Sequence, residues 1–204
     1  MNGFERRKQL KMQQIREAAL DLFSHFGVQK VSIQDIAQRA NVSPVTIYNY
    51  FGSKEDLLLD VLSNYFETRL QQFLKIKNSD LSFQEKIGKM VEAKVEETKK
   101  LSPSFIQSIF MTTGPVRELI QTFAAEKSIP HLMELLEEGK KEGYISNDLS
   151  PELLLFYIQL LFDGISKQSH LFSSEDQRDK HTKQLIHLFF YGLMGQKKED
   201  EPPN

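Results

Sequence analysis

The stretch from Val31 to Lys54 reads VSIQDIAQRANVSPVTIYNYFGSK, and it decides the fold because three helix starts fall within it. Ser32, Ser43 and Ser53 each stand where a serine side chain can cap the first turn of a helix. Helix starts lie this close together in a helix-turn-helix, in which two short helices are joined by a tight turn. The stretch therefore predicts a helix-turn-helix with a further helix leaving it.

The residues between these serines support the same interpretation. Asp35 can complete a capping box with the first serine, and Asn41 can adopt the left-handed conformation that ends a helix. Pro44 suits the first position of a helix, where its missing N–H costs nothing. We expect short helices at about 33–40 and 44–51.

Several short groups in this stretch carry a resemblance to a known family: Ile36-Ala37, Ala40-Asn41-Val42-Ser43, Thr46-Ile47-Tyr48, Tyr50-Phe51 and Ser53-Lys54-Glu55. Together they resemble the DNA-binding domain of the tetracycline-repressor (TetR) family of bacterial one-component regulators. The resemblance covers roughly residues 9–66. Asn41 and Val45 occupy positions where members of that family often carry Gly, so Val45 changes the side chain at the start of the recognition helix.

The helix that begins at Pro44 is the candidate recognition helix, whose first turn would enter the major groove. Thr46 can hydrogen-bond a base or a phosphate, and Val45 can touch thymine methyl groups. Lys54 stands at a helix N-terminus, where the helix dipole adds to its charge in binding a phosphate, and the resemblance assigns the same task to Tyr48. The alternative is that these groups only cap and solubilise a helical subdomain. The predicted DNA-binding residues are Ser32, Gln34, Ser43, Pro44, Val45, Thr46, Tyr48, Asn49, Tyr50 and Lys54.

Charge is distributed unevenly along the chain, although the net charge is only −2. Residues 1–54 hold eight Lys and Arg against four acids, and the other 150 residues hold 18 basic and 24 acidic side chains. A polyanion should therefore meet the N-terminal quarter. We expect Arg6, Arg7, Lys8 and Lys11 to form a basic arm just before the first helix, either a solvated tail or a contact to the minor groove or phosphates.

The whole chain is expected to be all-α, with about nine helices and no strand, because helical spacing of apolar residues recurs throughout. Breaks are expected at Ser102-Pro103, Gly114-Pro115 and Ser128–Pro130. We predict a DNA-binding domain at 1–52, a helical ligand-binding and dimerisation domain at 53–195, and a disordered tail at 196–204.

The last two predicted helices span about 151–170 and 173–194, and the first of these is strongly apolar. The first of them is apolar almost all round and must be covered on more than one side. In the resembling family, two such helices form a four-helix bundle with their copies across a two-fold axis; a well-buried monomer core is the alternative. The predicted dimer-interface residues are Leu154, Ile158, Phe162, Leu185, Phe189 and Leu193.

The resemblance also implies a small-molecule effector held among the C-terminal helices. Apolar and aromatic residues at helical spacing are candidates to line such a cavity, although residues of these types are also ordinary packing residues. The candidates are Met90, Phe105, Ile109, Phe110, Met111, Phe123, Tyr157 and Leu161.

Catalytic and metal-binding patterns are missing from the sequence. It contains no Cys, its five His match no zinc motif, and no Gly-rich phosphate loop or nucleophile elbow is present. We expect no enzyme, no cofactor and no metal site. With no signal peptide and no uncharged apolar run long enough for a bilayer, we expect a cytoplasmic protein without a membrane partner.

These patterns together predict a transcriptional repressor that binds double-stranded DNA at a palindromic operator as a homodimer and is released by a small-molecule effector. The alternative, permitted by Val45 and by the modest basic excess, is a helical small-molecule carrier without DNA recognition.

Overall fold

The computed structural model describes residues 3–97, 101–110 and 112–192, and within these ranges the chain is helical with no strand. This confirms the predicted all-α class, with ten α-helices in the described part against the expected nine. They are α1 (Gly3–Phe26), α2 (Ile33–Arg39), α3 (Pro44–Phe51), α4 (Lys54–Lys77), α5 (Phe83–Glu97), α6 (Pro103–Phe110), α7 (Pro115–Phe123), α8 (Ile129–Lys141), α9 (Pro151–Lys167) and α10 (Glu175–Tyr191). None of these helices is both long enough and apolar enough to cross a bilayer.

The chain divides into two compact units, and the first takes in residues 1–75 and 98–134. Its hydrophobic core is built on the inner stripe of α1, where Ile15, Ala19 and Phe23 follow one another at intervals of four and are fully buried. Ile36 of α2 and Ile47 of α3 close on this stripe with almost no exposure. The helix-turn-helix is therefore held by a dry core.

α6 shares the core of the first unit. Leu101, Phe105 and Ile109 are buried in the same hydrophobic cluster as the helix-turn-helix residues. Ser102 adds two hydrogen bonds to Ser24 of α1, a residue that is itself buried. Helix α6 thus packs directly on α1, although about 80 residues separate them along the chain.

The second unit takes in residues 76–97 and 135–204, and its described part contains α5, the end of α8, α9 and α10. Phe83 is fully buried and its ring stacks on Tyr144 at 5.5 Å between centroids, with Phe190 at 6.3 Å. A Cβ atom at Gly139 would lie 2.5 Å from the Phe83 ring, so only glycine fits there. The Phe83 ring of α5 therefore packs directly on the backbone of α8 at Gly139.

Two expectations from the sequence are wrong. The predicted basic arm is wrong as a segment preceding the first helix, because α1 already begins at Gly3 and contains those residues. The predicted break at Ser128–Pro130 is also wrong, because a π-helical turn at Ala124–Ser128 joins α7 to α8 and relieves the clash that proline causes in a regular helix. The domain boundary at residue 52 stays a prediction, and the tail at 196–204 lies outside the described residues.

Candidate DNA interface and effector site

Helix α2 begins with the predicted capping box. The Ser32 hydroxyl oxygen accepts from the Asp35 N–H at 3.2 Å, and the Ser32 N–H donates to the Asp35 carboxylate at 2.8 Å. The Ser32 hydroxyl also donates to that carboxylate, and these bonds lower the pKa of Asp35 below its ordinary value of 3.8. The carboxylate is therefore held as an anion at the helix N-terminus, where the dipole favours it.

The turn between α2 and α3 is closed by backbone conformation. Asn41 has a φ of 51°, and among the described residues it is the one non-glycine with positive φ. The next N–H, of Val42, donates to the Ala37 carbonyl at 2.9 Å. Ser43 then caps α3 by accepting from the Thr46 N–H at 3.1 Å, with Pro44 in the first turn as predicted.

Helix α3 presents one face to the core and another to solvent. Ile47 and Phe51 are buried, whereas Val45 is 64% and Tyr48 50% exposed. Asn49 is also exposed. The side chains at the start and on the outer face of α3 are thus free to contact a partner.

The other predicted DNA-binding residues lie around this face in the same unit. Gln34 and Ser43 are exposed, and Ser32, Pro44 and Thr46 are half-buried. The Thr46 hydroxyl lies 2.9 Å from the Ser43 hydroxyl, so the two already share a hydrogen bond. Thr46 would therefore have to share or exchange that bond when it contacts a base.

A basic groove lies between the first turns of α1 and the end of α3. It is lined by Phe4, Arg7, Lys8, Leu10, Lys11, Gln14 and Tyr50. The half-buried Tyr50 therefore faces the basic residues of α1, which the sequence alone did not indicate. Because these cations stand on a helix, their spacing is set by its geometry.

In the first unit, some cations are neutralised by ion pairs and others are not. Arg16 pairs with Asp60, and Arg39 pairs with Asp21 at 2.9 Å. In contrast, Arg7, Lys11 and Lys54 form no ion pair with the described residues. Cations without an ion pair are therefore present at the start of α1 and at the start of α4.

The predicted effector-lining residues fall into both units. In the first unit, Phe105 and Ile109 are buried in the core cluster, and the ring of Phe123 lies 5.6 Å from that of Phe66. In the second unit, Met90 and Leu161 are half-buried, and Tyr157 is 41% exposed. The Phe110 side chain and Met111 lie outside the described residues. No group of His, Asp and Glu in the described part is arranged to hold a metal ion.

The predicted dimer residues of α9 face inward. Leu154 and Ile158 are buried in their own unit at 8% and 9% exposure, and Phe162 is half-buried beneath the Lys94 ammonium group. On α10, Leu185 and Phe189 are half-buried. Leu193 lies outside the described residues.

The open apolar face of α9 is offset by one residue from the predicted one. It consists of Leu153, Phe156, Tyr157 and Leu160, at positions i, i+3, i+4 and i+7, with exposures of 52%, 62%, 41% and 58%. Leu154 and Ile158 lie beside this exposed face rather than on it, and their place in a dimer interface stays a prediction. Leu188 and Tyr191 on α10 are exposed as well, at 38% and 41%.

Comparison with known proteins agrees with this geometry. A family model described as bacterial regulatory proteins of the tetR family matches residues 15–61, which contain α2 and α3. The chain is 31% identical over 158 residues to YhgD of Bacillus subtilis, an uncharacterized HTH-type transcriptional regulator. That match covers 73% of this chain and 81% of the relative.

Two solved structures share the fold. The fatty acid degradation regulator FadR from Bacillus halodurans matches with a TM-score of 0.74 and 22% identity, over 91% of this chain and 97% of that one. The transcriptional regulator FadR from Bacillus subtilis, solved in complex with stearoyl-CoA, matches with a TM-score of 0.70 and 18% identity, over 89% of this chain and 98% of that one.

Proposed function

Because the chain belongs to the tetR family of bacterial regulatory proteins and is a transcriptional regulator, we propose that it is a repressor released from its operator by a small molecule. The observation that carries the proposal is the outer face of α3, where Val45 and Tyr48 are exposed above the buried Ile47 and Phe51. A short helix with its apolar side anchored and its first turn open suits entry into the major groove.

Cations of α1 and α4 would contact DNA phosphates close to α3. Lys54 begins α4, so its charge and the free N–H groups of that helix would act on the same phosphate. Arg7 and Lys11 line the groove beside Tyr50, near the end of α3. These cations would supply affinity that depends on salt but not on sequence.

The operator is proposed to be palindromic because the protein is proposed to be a homodimer. The support is the exposed apolar face of α9, formed by Leu153, Phe156, Tyr157 and Leu160. An exposed stripe of this kind on a helix marks an interaction surface in a soluble protein. Two copies packed through it, with α10 alongside, would present two recognition helices to two half-sites.

The effector is proposed to be a largely apolar molecule, and an acyl chain is the first candidate. One fold neighbour is described as a complex with stearoyl-CoA, and another as a regulator of fatty acid degradation. The aromatic and aliphatic residues at Phe105, Ile109 and Phe123 are chemically suited to an acyl chain.

Release would proceed by a shift between two arrangements of the first unit. Leu57 and Val61 of α4 are buried in the helix-turn-helix core, and Phe66, further along α4, packs against the same cluster as Leu119 and Ile120 of α7. A molecule that moves the far part of α4 would therefore move the near part and, with it, α3. Helix α6 offers a second route through its bonds to α1.

The test is fluorescence anisotropy with DNA taken from upstream of the protein's own gene, with and without stearoyl-CoA. We expect tight binding that competitor DNA of random sequence does not displace, and release when the ligand is added. Ligand binding without any preference for the upstream DNA would instead favour a helical carrier.

A further inference from the structure

Packing alone does not explain why residue 65 carries a hydroxyl group. Tyr65 lies on α4, beyond the residues that enter the helix-turn-helix core, and its ring packs against the hydrophobic cluster of the first unit. The hydroxyl oxygen has essentially no exposed surface and no hydrogen-bond partner among the described residues. Buried hydroxyl groups in folded proteins almost always have a partner, so an unpartnered one needs an explanation.

The Tyr65 ring lies near an aromatic ring and beneath a guanidinium group. The Phe66 ring lies 5.7 Å from the Tyr65 ring, and the Phe123 ring of α7 lies 5.6 Å from the Phe66 ring. The Arg69 guanidinium group lies over the Tyr65 ring, with its central carbon 5.3 Å from the ring centroid. Phenylalanine at position 65 would keep each of these ring contacts and avoid the buried oxygen.

We propose that Tyr65 is a hydrogen-bond donor of the effector site, whose hydroxyl binds a carboxylate or carbonyl oxygen of an acyl effector that packs on Phe66 and Phe123. This inference rests on the proposed function. The hydroxyl pays a desolvation penalty in the unliganded protein that an effector oxygen would remove, so ligand binding gains at that point.

The position of Tyr65 also explains how occupation of the site would reach the DNA. Because the hydroxyl has no exposed surface, an effector can reach it only by displacing the side chains packed around it. Tyr65 packs against the cluster that holds Leu57, Val61 and Ile47. Binding at Tyr65 would therefore disturb the packing that orients α3, without any contact to the helix-turn-helix itself.

The experiment compares the full-length wild type with Tyr65→Phe and with the control Tyr144→Phe, which removes a tyrosine hydroxyl from a residue of the second unit that is 43% exposed. Stearate and stearoyl-CoA are titrated into each protein by calorimetry, and the unfolding temperature is measured without ligand. For Tyr65→Phe we expect ligand affinity to fall roughly 3- to 10-fold, the worth of one hydrogen bond. The unfolding temperature should stay the same or rise, and the control should behave as wild type.

The loss of affinity for each ligand identifies which ligand oxygen binds the Tyr65 hydroxyl. Loss with stearate alone supports a carboxylate, whereas equal loss with both ligands supports the carbonyl oxygen. Unchanged ligand affinity in Tyr65→Phe would overturn the assignment while leaving the proposed effector class intact. A clear drop in its unfolding temperature would also overturn the assignment, because the hydroxyl would then have a structural partner. If the wild type binds neither ligand, the proposed acyl effector is wrong and this inference falls with it.

Discussion

Ser102, just before α6, donates two hydrogen bonds to Ser24 of α1. The Ser102 N–H donates to the Ser24 hydroxyl oxygen at 2.9 Å, and the Ser102 hydroxyl donates to the Ser24 carbonyl at 2.6 Å. Both bonds are partly buried, where a missing partner costs more than at the surface. These bonds hold the start of α6 against α1, on which the helix-turn-helix packs.

Ser102→Ala should lower the free energy of unfolding by about 1–2 kcal/mol, because the Ser24 carbonyl loses its donor in a buried setting. It should also raise the effector concentration needed for half release from DNA, since one of the two links between α6 and α1 is lost. Denaturant unfolding and anisotropy measure the two effects. Ser63→Ala, at an exposed serine on α4, is the control. Wild-type stability in Ser102→Ala would show that the bond from the Ser102 hydroxyl to the Ser24 carbonyl contributes nothing.

Lys54→Ala should weaken binding to operator and random DNA about equally and lower the salt slope by roughly one unit, because Lys54 is placed for a phosphate. A salt titration on both DNAs measures this. Lys75→Ala, at an exposed lysine near the far end of α4, should leave the slope unchanged. A loss confined to the operator would contradict the phosphate assignment.

Thr46→Ala should cost about 1–2 kcal/mol on the operator and little on random DNA, because Thr46 stands on the first turn of α3. The free protein should be only slightly less stable, since the Ser43 cap bond to the backbone N–H remains. Competition binding with the two DNAs measures the difference. Equal losses would mean that Thr46 only supports the cap or touches a phosphate.

The capping box at the start of α2 predicts that part of the stability of the fold is lost at low pH. The folded-state pKa of Asp35 is lowered, first by the Ser32 hydroxyl, so the carboxylate stabilises the fold above pH 3.8 and this contribution is lost as the pH falls through the lowered pKa. In Ser32→Ala the pKa of Asp35 should return toward 3.8. Titration of the Asp35 carboxyl by NMR measures it, and an unchanged pKa would contradict the assigned cause.

The dimer surface can be probed at Phe156 on α9. Because Phe156 is 62% exposed, Phe156→Asp should leave the chain folded, but it would place a charge in a desolvated seam and cost at least about 2 kcal/mol of dimer stability. Light scattering and circular dichroism should then show a helical monomer. Phe156→Asp that remains dimeric would exclude this face. The exposed face makes Phe156 a cleaner probe than Phe189, which is half-buried against Tyr157.

The sequence predicted the helix-turn-helix well because its determinants are local. Ser32, Asp35, Asn41 and Ser43 act through hydrogen bonds and backbone conformations within three or four residues, and such effects can be recognised in a short stretch. The same reasoning failed at Pro130, because a π-helical turn can absorb a proline that would break a regular helix.

Other features depend on contacts that no periodicity reveals. Since α9 is apolar on nearly every side, the spacing alone could not show that Leu154 faces inward and Phe156 outward. The attachment of α6 to α1 joins residues far apart in sequence, and the unpartnered oxygen of Tyr65 becomes evident only once its neighbours are placed. The fold class was thus predictable, whereas the residues that we propose to link an effector to DNA were not.

We propose above all that this protein is a dimeric, sequence-specific operator-binding regulator. The most direct test is native mass spectrometry of the purified protein with a duplex that footprinting has identified upstream of its gene, against a scrambled duplex of equal length. We predict a palindromic protected site and two protein chains bound to each operator duplex. Little protein should bind to the scrambled duplex. Equal occupation of both duplexes, or a single chain on the operator, would contradict the proposal.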